Sequence, residues 1–267
     1  MNSVSYNYHM HRKRYLFFDI DGTLVAGGYE HGYVPESASL ALDKLRKAGH
    51  FLCLCTGRSE ALAVSYMHQM GFENMISDGG YGITIDGKLL GIQPLPKDKV
   101  IRLVRECEEK GFSWGIQPDN SDTRLAPNGR FEAITHDRYM KTKVQPGLDL
   151  EAFEEIYKAY IACFPGEEEQ IGTLRDLPWC RFHQEYIFIE PSDKSYGIKK
   201  VLELMGADLS DAVVFGDSKN DLSMFHDPWT KVAMGNAIPE LKELADYITA
   251  NAEDDGIYKA CEELNLF

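Results

Sequence analysis

Tyr15-Leu16-Phe17-Phe18-Asp19-Ile20-Asp21-Gly22-Thr23-Leu24 sets four bulky apolar residues directly before two acids and a glycine. The run Tyr15 to Phe18 reads as a buried strand of a parallel sheet, apolar on both faces. Residues i and i+2 of a strand point the same way, so Asp19 and Asp21 can converge on one small ligand. Gly22 lets the backbone turn sharply where a side chain would clash. Open α/β sheets bind ligands beyond the carboxyl ends of their strands, where this pair falls. A calcium loop is excluded, because it needs glycine at its sixth position and a helix before it. An ordinary acidic turn after a strand is the alternative that this stretch alone leaves open.

Working outward, the chain of 267 residues is long enough for about two domains. Its composition, 44% hydrophobic and 26% charged, is that of a soluble globular protein. The net charge of −14 argues against nucleic acid and acidic membranes as partners and leaves carboxylates to spare for a hard divalent cation. Most of the acids are expected on a solvated face, those of Glu106 to Lys110 and Glu167 to Glu169 in particular. The six cysteines lack the C-x-x-C spacing of zinc and redox sites, so they read as buried free thiols of a reducing cytoplasm. Residues Met1 to Arg14 are polar and His-rich with no apolar core, which predicts no signal peptide, and residues 1–9 read as a ragged extension. No run is long enough for a membrane span.

A glycine-rich loop, Val25 to Tyr33, follows the acidic turn. Pro35 then opens a helix with an apolar stripe of Ala38, Leu42 and Leu45, ended by Gly49. His50 to Cys55 is a second buried strand, running into Thr56-Gly57-Arg58 and a helix from about Ser59 to Met70. A hydroxyl at a strand tip before a helix N-terminus suits a phosphate, although Thr56 could equally cap the helix. Met75 to Ser77 is a third strand. Beyond it, Ile83 to Leu90 reads as a hairpin turning at Asp86-Gly87. A helix at Lys97–Lys110, a strand at Phe112–Gln117, a polar stretch, a helix at about 150–163 and strands within Trp179–Ile189 complete a mixed segment. Hairpins among helices suggest an α+β unit, residues 83–182, inserted into an α/β core of 1–82 and 183–267. The core is expected to resume at Ile187 to Ile189. Lys194 then opens a helix, where the positive dipole end disfavours it and hints at an anion. Ala212 to Phe215, another buried strand, ends in Gly216-Asp217-Ser218-Lys219-Asn220-Asp221. Acids at 217 and 221 are what a Mg²⁺ site recruits from loops, and Asp221 also fits as a first-turn helix acid.

Four of these stretches, in order, resemble the motifs of the haloacid dehalogenase (HAD) superfamily: D-I-D-G-T-L, the strand-ending Thr56, Lys194, and G-D-S-K-N-D. The inserted segment resembles the type C2B cap of the Cof-type (type IIB) branch, and Ala233 to Ala237 and Asp254 to Ile257 resemble its tail. Asp78 departs from the asparagine usual there. The resemblance implies a Rossmann-like α/β core with a parallel sheet plus the cap, and a Mg²⁺-dependent phosphatase. It implies Asp19 as nucleophile, forming an aspartyl-phosphate, and Asp21 as general acid and base. It implies a metal site of Asp19, the Asp21 carbonyl, Asp217 and Asp221. Thr56, Gly57, Arg58, Lys194 and Asn220 are implied as phosphate contacts.

The expected partner is a small phosphorylated metabolite, a sugar phosphate before others, in the cytoplasm. Trp114, Arg124, Trp179, Arg181 and His183 are candidates to line a substrate cleft, each with packing or surface as the plain alternative. A monomer is expected, with a dimer as the alternative. Two other functions fit the same motifs: a phosphotransferase or phosphomutase, and a binding protein without catalysis.

Overall fold

The computed structural model describes residues 12–28, 31–226 and 228–267. The extension expected at 1–9, and residues 29 and 30 of the glycine-rich loop, lie outside the described residues. The strands in chain order are β1 (Tyr15–Phe18), β2 (Phe51–Cys55), β3 (Met75–Ser77), β4 (Gly82–Ile85), β5 (Lys88–Ile92), β6 (Ser113–Gln117) and β7 (Thr123–Ala126). They continue as β8 (Lys141–Val144), β9 (Lys158–Ala162), β10 (Trp179–Cys180), β11 (Tyr186–Ile189), β12 (Ala212–Gly216), β13 (Thr230–Ala233) and β14 (Tyr247–Ile248). The helices are α1 (Glu36–Lys47), α2 (Glu60–Gln69), α3 (Lys97–Lys110), α4 (Arg130–Thr135), α5 (Lys194–Met205), α6 (Pro239–Leu244) and α7 (Gly256–Glu263). The chain divides into two compact units: the part up to Leu54 together with Lys199–Phe267, and Cys55–Ile198. The sequence reading drew its boundaries instead at 82/83 and 182/183.

In the first unit the strand order is β14-β13-β12-β1-β2, all pairs parallel. Phe18 sits beside Phe215 of β12 on one side and Leu54 of β2 on the other. Strands β1 and β12 are buried along their whole length, which is why their apolar runs show no alternation. The stripe Ala38, Leu42 and Leu45 of α1 is buried as expected. Buried His50 fastens the ends of this unit: its Nδ1 accepts the Arg14 amide at 3.0 Å, so its Nε2 carries the proton and donates to the Leu266 carbonyl at 2.7 Å.

In the second unit β3, β4 and β5 are antiparallel neighbours, and the expected turn is there, with Asp86 and Gly87 both at positive φ (49° and 72°). A six-stranded sheet runs β10-β11-β9-β6-β7-β8. Its one face packs Ile116, Ala159, Ile161, Ile187 and Ile189 with Val100, Leu103, Val104 and Cys107 of α3. The other face carries Tyr160, Tyr186, Phe188, Phe131 and Met140.

Several sequence expectations are corrected here. The helix expected at 150–163 is a single 3₁₀ turn, Leu150–Ala152, followed by β9. Residues 159 and 161 pack on one face of the sheet and 160 and 162 on the other, so a strand buried on both sides gives no visible alternation. Strand β11 belongs to the six-stranded sheet, paired with β9 and β10, and does not resume the core. The hairpin β4–β5 extends β3 and lies outside the six-stranded sheet. The polar stretch contains β7, α4 and β8.

The aromatic and basic residues suggested for a substrate cleft are largely structural. Trp114 belongs to the α3-side core. Arg124 is fully buried, paired with Asp137 and boxed by Phe131, Tyr160 and Tyr186. Burial pushes the Asp137 carboxyl up, but the Tyr139 amide and the Arg124 guanidinium outweigh it and hold its pKa below the ordinary value. Arg181 ties together the carbonyls of Cys163, His183 and Gln184 and pairs with Glu168. His183 stacks on Tyr186 at 4.8 Å, and Trp179 is exposed. Glu106, expected in solvent, accepts the amides of Gly172 and Thr173 and so pins that turn to α3.

The turn Asp78-Gly79-Gly80 holds the segment that leads into α5. Gly79 accepts the Asp193 amide through its carbonyl at 2.8 Å, and a Cβ at Gly79 would lie 1.9 Å from the Pro191 carbonyl oxygen. The carbonyl belongs to backbone and cannot swing aside, and Gly79 has φ +65°. Gly79→Ala is therefore expected to destabilise the protein by about 3 kcal/mol or more, read as a lower urea midpoint. A change within about 0.5 kcal/mol would mean that the 191–194 segment moves freely.

Candidate active site

Parallel pairing of β1 with β12 brings the two acidic loops side by side. The ladder ends with Phe18 beside Phe215, and the Asp19 amide donates to the Phe215 carbonyl at 3.1 Å. Asp19, Asp217 and Asp221 consequently present carboxylate oxygens all within 4.8 Å of one another. Asp19 and Asp221 are buried and Asp217 is half-buried. Like charges at this spacing repel by roughly 3–4 kcal/mol per pair at an effective dielectric near 20. The set fits a hard divalent cation, which takes carboxylate oxygens and relieves the repulsion. Asp21 is half-buried, and its carboxylate is not part of this group.

Local structure fixes each acid. Asp221 accepts the amides of Asp217 and Ser218, both at 2.9 Å, and forms a capping box with Ser218 at the start of the 3₁₀ segment Lys219–Phe225. It is thus both a first-turn acid and a member of the cluster. Asp217 accepts the Thr23 hydroxyl at 2.8 Å. Asn220 turns its side-chain oxygen to the Ser218 hydroxyl at 2.6 Å, leaving its amide group to donate elsewhere. Asn236 reaches across with its amide to the Gly22 carbonyl at 2.8 Å and accepts the Ala252 amide at 3.0 Å, so it binds the first acidic turn to the tail segment. The glycine-rich loop closes on itself through paired backbone bonds between Ala26 and Tyr33, both 2.9 Å.

In the second unit Thr56 is buried, and its Oγ1 accepts the Arg58 amide at 3.2 Å. That bond orients the hydroxyl, whose own proton can then be given to another acceptor. The residue that caps α2 is Asp78, accepting the Glu60 amide at 3.0 Å. This removes the alternative of Thr56 as the cap. Arg58 lies over the Tyr66 ring at 4.7 Å, a packed position. Lys194 begins α5 and is 1% exposed. Asp193, just before it, accepts the Tyr196 amide and the Ser195 hydroxyl, so the helix start is capped by an acid.

Residues 16–261 match the sequence family described as haloacid dehalogenase-like hydrolase. The chain belongs to this family. It is therefore a hydrolase, an enzyme. "Putative phosphatase YkrA" of Bacillus subtilis is 32% identical over 256 residues, covering 94% of this chain and 97% of that one. A hypothetical protein of Geobacillus kaustophilus superposes with a TM-score of 0.84 at 29% identity, over 96% of this chain and all of that one. The HAD subclass IIB sugar phosphatase BT4131 superposes with a TM-score of 0.77 at 26% identity, again over 96% and 100%. The Cof-type, type IIB reading of the motifs stands with these likenesses.

Sequence reasoning missed two residues of this haloacid dehalogenase-like site. Thr23 was passed over as part of the first motif, though a hydroxyl two residues after Asp21 was a visible donor. Asn236 lay in a stretch noted only for its resemblance, and nothing local foretold its bond to a carbonyl more than two hundred residues earlier.

Gly22 sets the space around the acids. A Cβ there would lie 2.3 Å from Asp217 Oδ2, and its φ is +87°. Gly22→Ala is expected to drive the Asp217 carboxylate out of the cluster and to destabilise the protein by about 1–3 kcal/mol, read as a lower urea midpoint. An unchanged midpoint would show that the loop absorbs the methyl group.

Proposed function

We propose that this hydrolase is a phosphatase that releases phosphate from small metabolites, sugar phosphates foremost, through an aspartyl-phosphate on Asp19. The observation that carries the reading is the gathering of Asp19, Asp217 and Asp221 at the ends of two adjacent parallel strands. The names of YkrA and BT4131 support phosphatase activity, and that of BT4131 supports the choice of sugars. The six-stranded sheet with α3 would act as the specificity cap. The acidic surface fits a free metabolite in the cytoplasm better than nucleic acid or an anionic membrane. We take the working form to be the monomer.

The carboxylates of Asp19, Asp217 and Asp221 and the Asp21 carbonyl would hold Mg²⁺. When bound, the ion supplies positive charge that lets an anionic nucleophile and an anionic phosphoryl group come together. An Asp19 oxygen attacks phosphorus, and the bond from phosphorus to the leaving oxygen breaks. Asp21 gives a proton to that oxygen and the alcohol departs. Asp21 then takes a proton from water, whose oxygen attacks the aspartyl-phosphate. Inorganic phosphate leaves, and Asp19 is restored as the carboxylate. Splitting one hard displacement into two easier ones is the benefit of a covalent step. The motifs assign Thr56, Gly57, Arg58, Lys194 and Asn220 to the phosphoryl oxygens, with the Lys194 charge as the largest contribution.

A colorimetric phosphate-release panel of sugar phosphates, nucleotides and phosphorylated cofactors tests the reading. Turnover is expected on several sugar phosphates, and none on any member overturns it. Asp19→Asn is expected to lower kcat by on the order of 10⁴-fold or more with the fold intact by circular dichroism. A variant that keeps most of the activity rules out the covalent step. Exhaustive chelation is expected to abolish turnover and added Mg²⁺ to restore it. Activity indifferent to both treatments would dispose of the metal assignment.

A further inference from the structure

A buried ammonium in the second unit has no part in the chemistry above. Lys158 opens β9 and is 3% exposed, and Glu190, just past the end of β11, is 2% exposed. In the antiparallel ladder Ala159 faces Ile189, so Lys158 and Glu190 are the next cross-strand pair, and they meet at 2.6 Å. The ammonium also lies 3.6 Å from Asp78 Oδ1 and donates to the Gly57 carbonyl at 3.4 Å. Burial alone pushes the Lys158 pKa down, but Glu190 and then Asp78 outweigh it and hold the group well above its ordinary value. The geometry thus favours Lys158 as the cation between two acids. An apolar pair of similar size would fill the space without desolvating two charges, so burial by itself gives no reason for the pair.

The Gly57 carbonyl and the Arg58 amide are two ends of one planar peptide group. That amide donates to Thr56 Oγ1 at 3.2 Å. A cation on the oxygen draws electron density along the peptide and strengthens the donor at its other end. The strengthened donor in turn makes the Thr56 hydroxyl a better donor itself. We propose that Lys158 is a positioning residue that polarises Thr56 through the Gly57–Arg58 peptide, tuning the hydroxyl for a phosphoryl oxygen. Asp78 completes the arrangement, because its Oδ2 accepts the Glu60 amide and the Ser77 hydroxyl while its Oδ1 faces Lys158. The departure from asparagine at position 78 thereby has a use: the extra charge offsets the buried cation. The inference deepens the phosphatase reading and rests on it for the ligand of Thr56.

The test is a double-mutant cycle on the full chain with Mg²⁺ present. It reads the affinity for inorganic phosphate by calorimetry and KM and kcat with p-nitrophenyl phosphate. Removing both charges with Lys158→Met and Glu190→Gln together avoids a stranded carboxylate. In the wild-type background this pair is expected to weaken phosphate binding on the order of fivefold. In a Thr56→Val background the same pair is expected to change nothing. Equal losses in both backgrounds overturn the proposal, since a purely structural role acts whether or not the hydroxyl is there. A second measurement needs no change to the pair: the Arg58 amide proton, seen by selective ¹⁵N-arginine labelling, is expected well downfield in the wild type. An Arg58 amide at the random-coil position overturns the relay even if the paired variant fails to fold. Wild-type protein with neither turnover nor phosphate binding sinks the phosphatase reading instead, and the amide shift still decides the relay.

Discussion

The crowding of like charge where β1 meets β12 is the constraint around which the first unit is arranged. Two strands without a polar residue cannot place their acids anywhere but at the end of the ladder, and parallel pairing puts both ends on the same side. The surrounding loops hold the repelling groups in place from behind. Two backbone amides take one face of Asp221, the Thr23 hydroxyl takes one oxygen of Asp217, and Asn236 anchors the turn that carries Asp21 and Gly22. Each of these donors orients the acid it meets.

The second unit pairs two buried cations with acids. Lys158 is surrounded by Glu190 and Asp78, and Arg124 is matched by Asp137 inside an aromatic box. Each cation has an anion within reach, as removal from water requires. These pairs also link distant parts of the unit. Lys158 joins the six-stranded sheet to the turn at Thr56 and, through Asp78, to the start of α2. That linkage accounts for a compact unit that begins at Cys55, earlier than the texture of the sequence suggests.

What could be read in the sequence was local. A short apolar run ending in acids announces its own strand within ten residues, which is why β1 and β12, with Asp19 and Asp217 just past their ends, were legible. Helix α3 and the β4–β5 turn were equally legible, the first from its stripe and the second from Asp86-Gly87. Strand β9 was not, since both its faces are apolar and Tyr160 and Ile161 fit either period. Strands β7 and β8 hid behind exposed polar residues and a core position filled by Arg124. Lys158 was illegible for a different reason: its partners lie at 57, 78 and 190, and no window of sequence contains them.

Because β12 is inserted between β1 and β13, the sheet of the first unit has no interior until that strand exists. Roughly two hundred residues separate Asp19 from Asp217, whereas Cys55–Ile198 is one continuous stretch. On the ribosome the second unit can reach its final form while β1 and β2 still wait for a neighbour, and domains generally fold as units during synthesis. The nascent chain thus emerges with its acids scattered and without hydrolytic competence. The gathering of Asp19, Asp217 and Asp221 arrives late, as one of the last events of biogenesis.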